Sequence, residues 1–280
     1  MKRALGFLAI LMALTLVGRE CSAEGKLSGV RSWLCFYGAA FPAGNLSTYD
    51  LYVFQSTAHP DLGPLHEKGA KAVGYISAGE LNKNDPNFQK ISGEGILLEE
   101  NKDWPGSFRA DIFSDKWRDF VIGELIPAVL SQGFDGIFID TIDVAQYLEE
   151  TKKSVGAIQK AARLIREIRN KYPAILIVLN NGLFLLDDVG SVVDALVVED
   201  VFTLYDFRNK RYQLATPQWT RERVAALKKF QDKFHKPVLS LDYLKPSDRK
   251  NIEAVAAAAK AQNFIPYISD IGLQKIFFHP

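Results

Sequence analysis

The chain of 280 residues carries 34 Lys and Arg against 33 Asp and Glu, a formal net charge of +1. So even a balance offers no cationic surface for phosphate backbones or anionic lipid, which sets aside nucleic-acid and membrane-surface binding as its business. With 48% hydrophobic residues, the length suffices for one large domain with a full core.

Residues 1–23 open on Lys2 and Arg3, continue as ALGFLAILMALTLVG and reach Cys21-Ser22-Ala23. A basic start, an apolar run and a small-residue site in that order predict an export signal, and a secreted or periplasmic protein with no other membrane attachment. A retained anchor helix is the alternative, against which the apolar run is shorter than the ~20 residues that span a bilayer. The charged pair Arg19-Glu20 argues against lipid attachment at Cys21. Fold reasoning therefore covers residues 24–280 as a single domain. Removing Lys2, Arg3, Arg19 and Glu20 from the 34 and 33 leaves 31 basic against 32 acidic residues. Cys35 alone then remains, in the apolar run WLCFY, and is expected to pack as a small hydrophobe. No close spacing of His, Cys or acidic residues suggests a metal, and no cofactor motif is present.

In chain order, apolar runs of strand length occur at 31–37 (RSWLCFY), 51–55 (LYVFQ), 72–77 (AVGYIS), 135–140 (DGIFID), 174–181 (AILIVLNN), 194–200 (DALVVED), 237–243 (PVLSLDY) and 264–269 (FIPYIS). They are nearly continuous, the pattern of parallel strands covered on both faces. Helical spacing fills 114–133, with Ser114 as N-cap and Gly133 as stop, and then 155–173, 220–237 and 247–263. Strand and helix alternating to a count of eight predict an α/β fold, the (β/α)8 TIM barrel. An open doubly wound sheet is the competitor, but no G-x-G-x-x-G follows the first strand. The interval 78–134 is too long for a simple connection and reads as a rim loop ahead of its helix.

Active sites of such barrels lie where the strands end. Here those ends offer Tyr37, Gln55, Ser77 with Glu80, Asp140, Asn180 with Asn181, Glu199, Asp242, and Ser269 with Asp270. No histidine or lysine closes a strand, so Ser-His-Asp hydrolysis and Schiff-base chemistry lack their central groups. Carboxylate-pair chemistry remains, and its commonest form is glycoside hydrolysis. Asp140 (IFID) and Glu199 (LVVED) each close an apolar strand, four and six in the count, and are the catalytic candidates. Each has a plainer reading: Asp140 as a helix cap, Glu199 as the partner of a rim arginine such as Arg109 or Arg208. Tyr75, Asn181, Tyr205 and Asp242 are candidate substrate contacts, as are Tyr147, Tyr243, Tyr267 and Trp104 through stacking, with core packing the alternative for any one aromatic. Asp135 is expected to start its strand at the barrel floor.

The ordered set VGYISAGE (73–80), Trp104 followed by SFRADI (107–112), GFDGIFIDTID (133–143), LNNG (179–182) and VVEDVFT (197–203) resembles glycoside hydrolase family 114, the endo-α-1,4-polygalactosaminidase-like barrels. The resemblance extends from about Trp33 to the C-terminus. It implies retaining cleavage of an α-linked hexosamine polysaccharide with Asp140 as nucleophile and Glu199 as general acid/base. It also implies that Glu80, Asp111 and Asp143 line the substrate groove. A carbohydrate-binding barrel without hydrolysis is the alternative function.

Overall fold

The structure, a computed structural model, describes residues 25–42, 44, 48–152 and 154–278. The export signal expected at 1–23 lies outside the described residues. Eight strands form one sheet in chain order: β1 (Trp33–Phe36), β2 (Leu51–Gln55), β3 (Lys71–Ser77), β4 (Gly136–Asp140), β5 (Leu176–Asn180), β6 (Ala195–Glu199), β7 (Val238–Tyr243) and β8 (Ile265–Ser269). Every neighbouring pair is parallel. A doubly wound sheet reverses its order at a switch point, and this one does not. The two ends instead approach each other: Trp33 Nε1 donates to the Ile265 carbonyl at 2.9 Å, and the Trp33 and Tyr267 rings lie 5.6 Å apart. The result is a nearly closed TIM barrel.

The strands fall within a residue or two of the apolar runs because both of their faces are buried. β1 is buried at all four positions, and β4 and β6 at every position but the last. Alternation and register then decide which side chains fill the interior. Val53 pairs with Val73, Tyr75 with Phe138, and Leu241 with both Glu199 and Tyr267, so these and the residues two apart from them face inward. Close approach of the walls requires Gly136, where a Cβ would stand 2.0 Å from the Leu176 carbonyl oxygen.

Helices form the outer layer. The first, from Asp115 to Leu130, is capped by Ser114 as expected, and widens into a π turn at Val121–Leu125 just ahead of Pro127, which has no N–H for the ladder. Helix 217–234 starts three residues earlier than its apolar spacing suggested, because Thr216 accepts from Trp219 N and Pro217 suits the first turn. It ends at His235 in the left-handed region, φ 53°.

The interval 78–134 is more ordered than a rim loop. Strands 80–82, 97–100 and 107–110 make a three-stranded antiparallel sheet with 107–110 in the middle, and residues 88–93 add a short helix. A second excursion, the hairpin 203–206/211–214, follows β6. Both are built from strands of three or four partly polar residues, too short for periodicity to register.

Beneath the barrel, partly buried charged side chains tie the floor together. Asp135 accepts from His66 Nε2, Lys71 Nζ and the Ala72 amide at 2.9–3.0 Å, which places it at the start of β4 as expected. Arg169 pairs with Asp194 at 2.6 Å and donates to the carbonyls of Val192, Tyr172, Pro173 and Ile175.

Candidate active site

Three adjacent strands each end in a polar residue followed by a residue of positive φ. Asp140 precedes Thr141 (59°), Asn180 precedes Asn181 (54°) and Glu199 precedes Asp200 (58°). The left-handed residue ends the strand abruptly and turns the chain outward, leaving the preceding side chain aimed into the mouth. For β-branched Thr141 this conformation is costly, and it is held in place by side-chain bonds. Thr141 Oγ1 donates to the Asp140 carbonyl at 2.8 Å, accepts from Gly79 N at 2.8 Å, and lies 2.8 Å from Ser77 Oγ.

At the centre stands Asn180. Its Nδ2 donates to Asp140 Oδ1 at 2.8 Å and to Glu199 Oε1 at 2.6 Å. Two oxygens bonded to one nitrogen can be no farther apart than the two bonds laid end to end, 2.8 plus 2.6, or 5.4 Å. Tyr75 of β3 lies beside Asp140, and the Tyr243 hydroxyl donates to Glu199 Oε2 at 2.5 Å from β7. Neither plainer reading describes the pair. Asp140 caps no helix, and among the described residues neither it nor Glu199 has an arginine or lysine partner. Arg109 instead lies 3.9 Å from the Tyr147 ring centre.

The surroundings polarise the pair. Burial pushes the Glu199 pKa up, and the Asp140 charge adds to the rise; the Asn180 and Tyr243 hydrogen bonds pull the other way. Asp143, open to the cleft yet walled by protein on its other sides, is pushed up to about 6, first by desolvation and then by Asp140. Asp200 is pushed up to about 7 by desolvation and then by Glu199 and Asp242, with Arg223 opposing. Asp143, Asp140, Glu199 and Asp200 thus form one run of neighbouring carboxylates.

The remaining candidates take different places. Asn181 braces the end of β6: its Oδ1 accepts from Glu199 N at 3.2 Å, and its own N–H donates to the Val197 carbonyl at 2.8 Å. Glu80 is only 4% exposed, and both carboxylate oxygens are taken, Oε1 by Asn101 Nδ2 and Oε2 by Ser107 Oγ, each at 2.7 Å. Asp242 precedes inward-facing Tyr243, so alternation turns it toward the helical layer, where it is fully buried. Its Oδ1 accepts from the Phe202 and Thr203 amides at 2.7 and 2.9 Å. Neither Glu80 nor Asp242 faces the mouth with a free carboxylate. Asp111 is half-buried in the turn before the first outer helix, accepting from Phe113 N at 3.0 Å. Tyr205 packs edge-on against Phe207 and Tyr212. Tyr267 is buried inside the barrel, and so is Cys35.

Asp200, Arg223 and Phe207 belong to this neighbourhood and escaped sequence reasoning. VVED does place a second carboxylate beside Glu199, but nothing local to residue 223 signals that its helix carries it back to that corner. Among the described residues no group of three or more His, Cys, Asp or Glu side chains is arranged to hold a metal ion.

A nearly closed barrel whose C-terminal mouth holds two carboxylates across a single amide has the layout of a TIM-barrel glycoside hydrolase. The chain belongs to glycoside-hydrolase family GH114, whose sequence profile matches residues 22–280. An uncharacterized protein of Deinococcus radiodurans is 27% identical over 276 residues, 92% of this chain and 86% of that one. The glycoside hydrolase domain of PelA from Pseudomonas aeruginosa superimposes with a TM-score of 0.80 at 22% identity, over 90% of this chain and 99% of that domain. Aspergillus fumigatus Ega3, solved in complex with galactosamine, gives a TM-score of 0.72 at 17% identity, over 91% of this chain and 98% of that one. At these identities the two solved structures share the fold with this chain. The protein is a glycoside hydrolase.

Proposed function

We propose that the protein is an exported glycosidase that cleaves an α-linked amino-sugar polysaccharide with retention of configuration, Asp140 acting as nucleophile and Glu199 as general acid/base. The observation that carries the reading is the amide shared by the two carboxylates. A gap of at most 5.4 Å between the facing oxygens supports the ~5–5.5 Å separation of double displacement over the ~6.5–9.5 Å that an inverting pair keeps for its water.

Glu199, whose burial favours the protonated form, gives its proton to the departing glycosidic oxygen while Asp140 attacks the anomeric carbon. The sugar is then bonded to Asp140, and Glu199 is a carboxylate. That carboxylate takes a proton from water, the resulting hydroxide displaces Asp140 from the anomeric carbon, and both side chains return to their starting states. Asn180, bonded to both, holds the alignment and eases the charge that passes between them. A carboxylate-rich mouth suits a polymer of protonated amines, and the galactosamine bound by Ega3 makes hexosamines the first substrates to test. Export rests on residues 1–23, and sequencing the N-terminus of the protein recovered outside the cytoplasm tests it.

The test of mechanism is incubation with α- and β-linked galactosamine and glucosamine polymers, following reducing ends and the anomer first released. Asp140→Asn and Glu199→Gln are each expected to fold and to lose at least ~10³ in kcat. Release of the β anomer from an α-linked polymer, or wild-type turnover by both variants, sinks the retaining assignment. Binding with no new reducing ends would favour the carbohydrate-binding barrel instead.

A further inference from the structure

Trp104 and Phe207 are 54% and 45% exposed, an unusual place for two large rings. They come from separate excursions. Trp104 sits in the turn 101–106 of the small sheet that follows β3, and Phe207 in the hairpin that follows β6. Even so, the rings meet, with centres 5.3 Å apart and planes at 74°. Rings left half in water forgo part of the gain of burial, so the arrangement is costly unless something else covers them.

The two loops are held from beneath by the carboxylates that do not reach the mouth. Glu80 grips Asn101 with one oxygen and Ser107 with the other, bracketing the Trp104 turn. That turn is closed further by the Trp104 amide on the Asn101 carbonyl and the Ser107 amide on the Trp104 carbonyl. Asp242 grips Phe202 and Thr203 at the root of the Phe207 hairpin. The hairpin is pinned again where the Tyr212 hydroxyl accepts from the Ile271 amide at 3.1 Å. Two buried carboxylates, each with several donors, are an expensive way to fix a loop, and they fix the two loops that carry the exposed rings.

The arc of rim from β3 to β6 is the one that holds Asp140, Asn180 and Glu199. We propose that Trp104 and Phe207 form an aromatic subsite beside the cleavage point that takes a pyranose ring of the polymer one or more units away from the cleaved bond, with Glu80 and Asp242 as positioning residues for its two halves. The edge-to-face meeting gives a corner, with one ring as floor and the other as wall. A pyranose fits it by laying its axial C–H face on one ring and its edge against the other, while its polar rim stays in water. The carboxylates at the mouth, Asp143 and Asp200 among them, supply charge complementary to the amines of a hexosamine chain. The inference rests on the glycosidase reading above, and it adds a reason for the enzyme to prefer chains over single glycosides.

The experiment uses the full chain carrying Glu199→Gln as a non-cleaving binder and α-linked galactosamine oligosaccharides of increasing length. Affinity is read by calorimetry and by the fluorescence of Trp104, one of two exposed tryptophans beside Trp219. Adding Trp104→Ala with Phe207→Ala is expected to weaken binding of the longer oligosaccharides about tenfold and to leave the shortest unaffected. Trp104→Phe is expected to keep most of the affinity and lose the ligand-induced change in emission. In the otherwise wild-type enzyme the double substitution should raise KM on polymer with kcat nearly unchanged, and Glu80→Ala should follow it. Equal affinity of the parent and the double variant for every length, or the same loss on the shortest ligand as on the longest, overturns the subsite while leaving the glycosidase reading intact. Failure of the Glu199→Gln parent to bind any of these oligosaccharides overturns the amino-sugar reading and the subsite together.

Discussion

Tyr243→Phe removes one hydroxyl and keeps the ring that fills the barrel top. That hydroxyl donates to Glu199 Oε2 at 2.5 Å, and the tyrosine is 3% exposed, so no water stands ready to replace it. A hydrogen bond to a charged group is worth ~1.5–3 kcal/mol, and this one favours ionised Glu199, opposing the upward push of burial and of Asp140. Its loss lets the Glu199 pKa rise further. With Glu199 as general acid, kcat/KM falls as pH rises through that pKa, so the alkaline limb of the profile should move to higher pH. The value at the optimum should drop about tenfold, because a weaker acid assists departure less. The same group sets a stability difference. A carboxylate whose folded pKa lies above its unfolded one contributes stability that is complete below the unfolded value and is lost as pH rises through the folded one. Denaturation by urea should therefore separate variant from wild type at alkaline pH and bring them together in acid. The assay is reducing-end release against pH on the same polymer for both proteins. An alkaline limb that stays in place or moves down refutes Glu199 as the acid held in check by Tyr243.

Asp200→Asn suits the left-handed backbone at that position and removes a carboxyl pushed up to about 7 from the ordinary carboxylate range. It should stabilise the protein at pH 8 by ~1–3 kcal/mol after allowance for partial solvent screening, with the gain fading as pH falls below the folded value of about 7 and gone below the unfolded carboxylate range; a pH-independent difference in urea midpoint would be inconsistent. Gly136→Ala sets a Cβ 2.0 Å from the Leu176 carbonyl and so pushes β4 away from β5. A loss of ~3 kcal/mol or more is expected, with kcat falling in the folded fraction because Asp140 rides on the same strand, and an unchanged thermal midpoint would contradict this packing. Arg169→Met breaks the Asp194 pair and the carbonyl bonds of the floor. It should cost ~3–5 kcal/mol in denaturation while kcat and KM of the folded enzyme stay at wild-type values, and a selective drop in kcat would show that the floor is coupled to the mouth.

The legible part of the site was the part carried by strand ends. Asp140 and Glu199 stand out in the sequence because a charged residue closes an otherwise apolar run, and the fold brings them together through strands β4 and β6. Asn180 between them was visible only as another polar strand end. Its role as shared donor depends on three strands arriving at one height, which is a matter of register across the sheet. Glu80 and Asp242 have the same local appearance as Asp140, yet one is consumed by the small sheet and the other faces the helices. The difference for Asp242 is one step of alternation beside Tyr243, and for Glu80 it is a strand pairing with residues 107–110 some distance along the chain.

By itself the sequence determined the eight strands and most of the outer helices, while closure of the sheet was left to the contacts between its two ends. Apolar runs buried on both faces and capped amphipathic helices are local patterns, and local patterns survive in one dimension. Tertiary structure alone decided which carboxylates share a wall, which are spent holding loops, and that Trp104 and Phe207 meet. Each of those facts is set by contacts between segments far apart in the chain, where burial, desolvation and hydrogen-bond supply depend on neighbours that no sequence window contains.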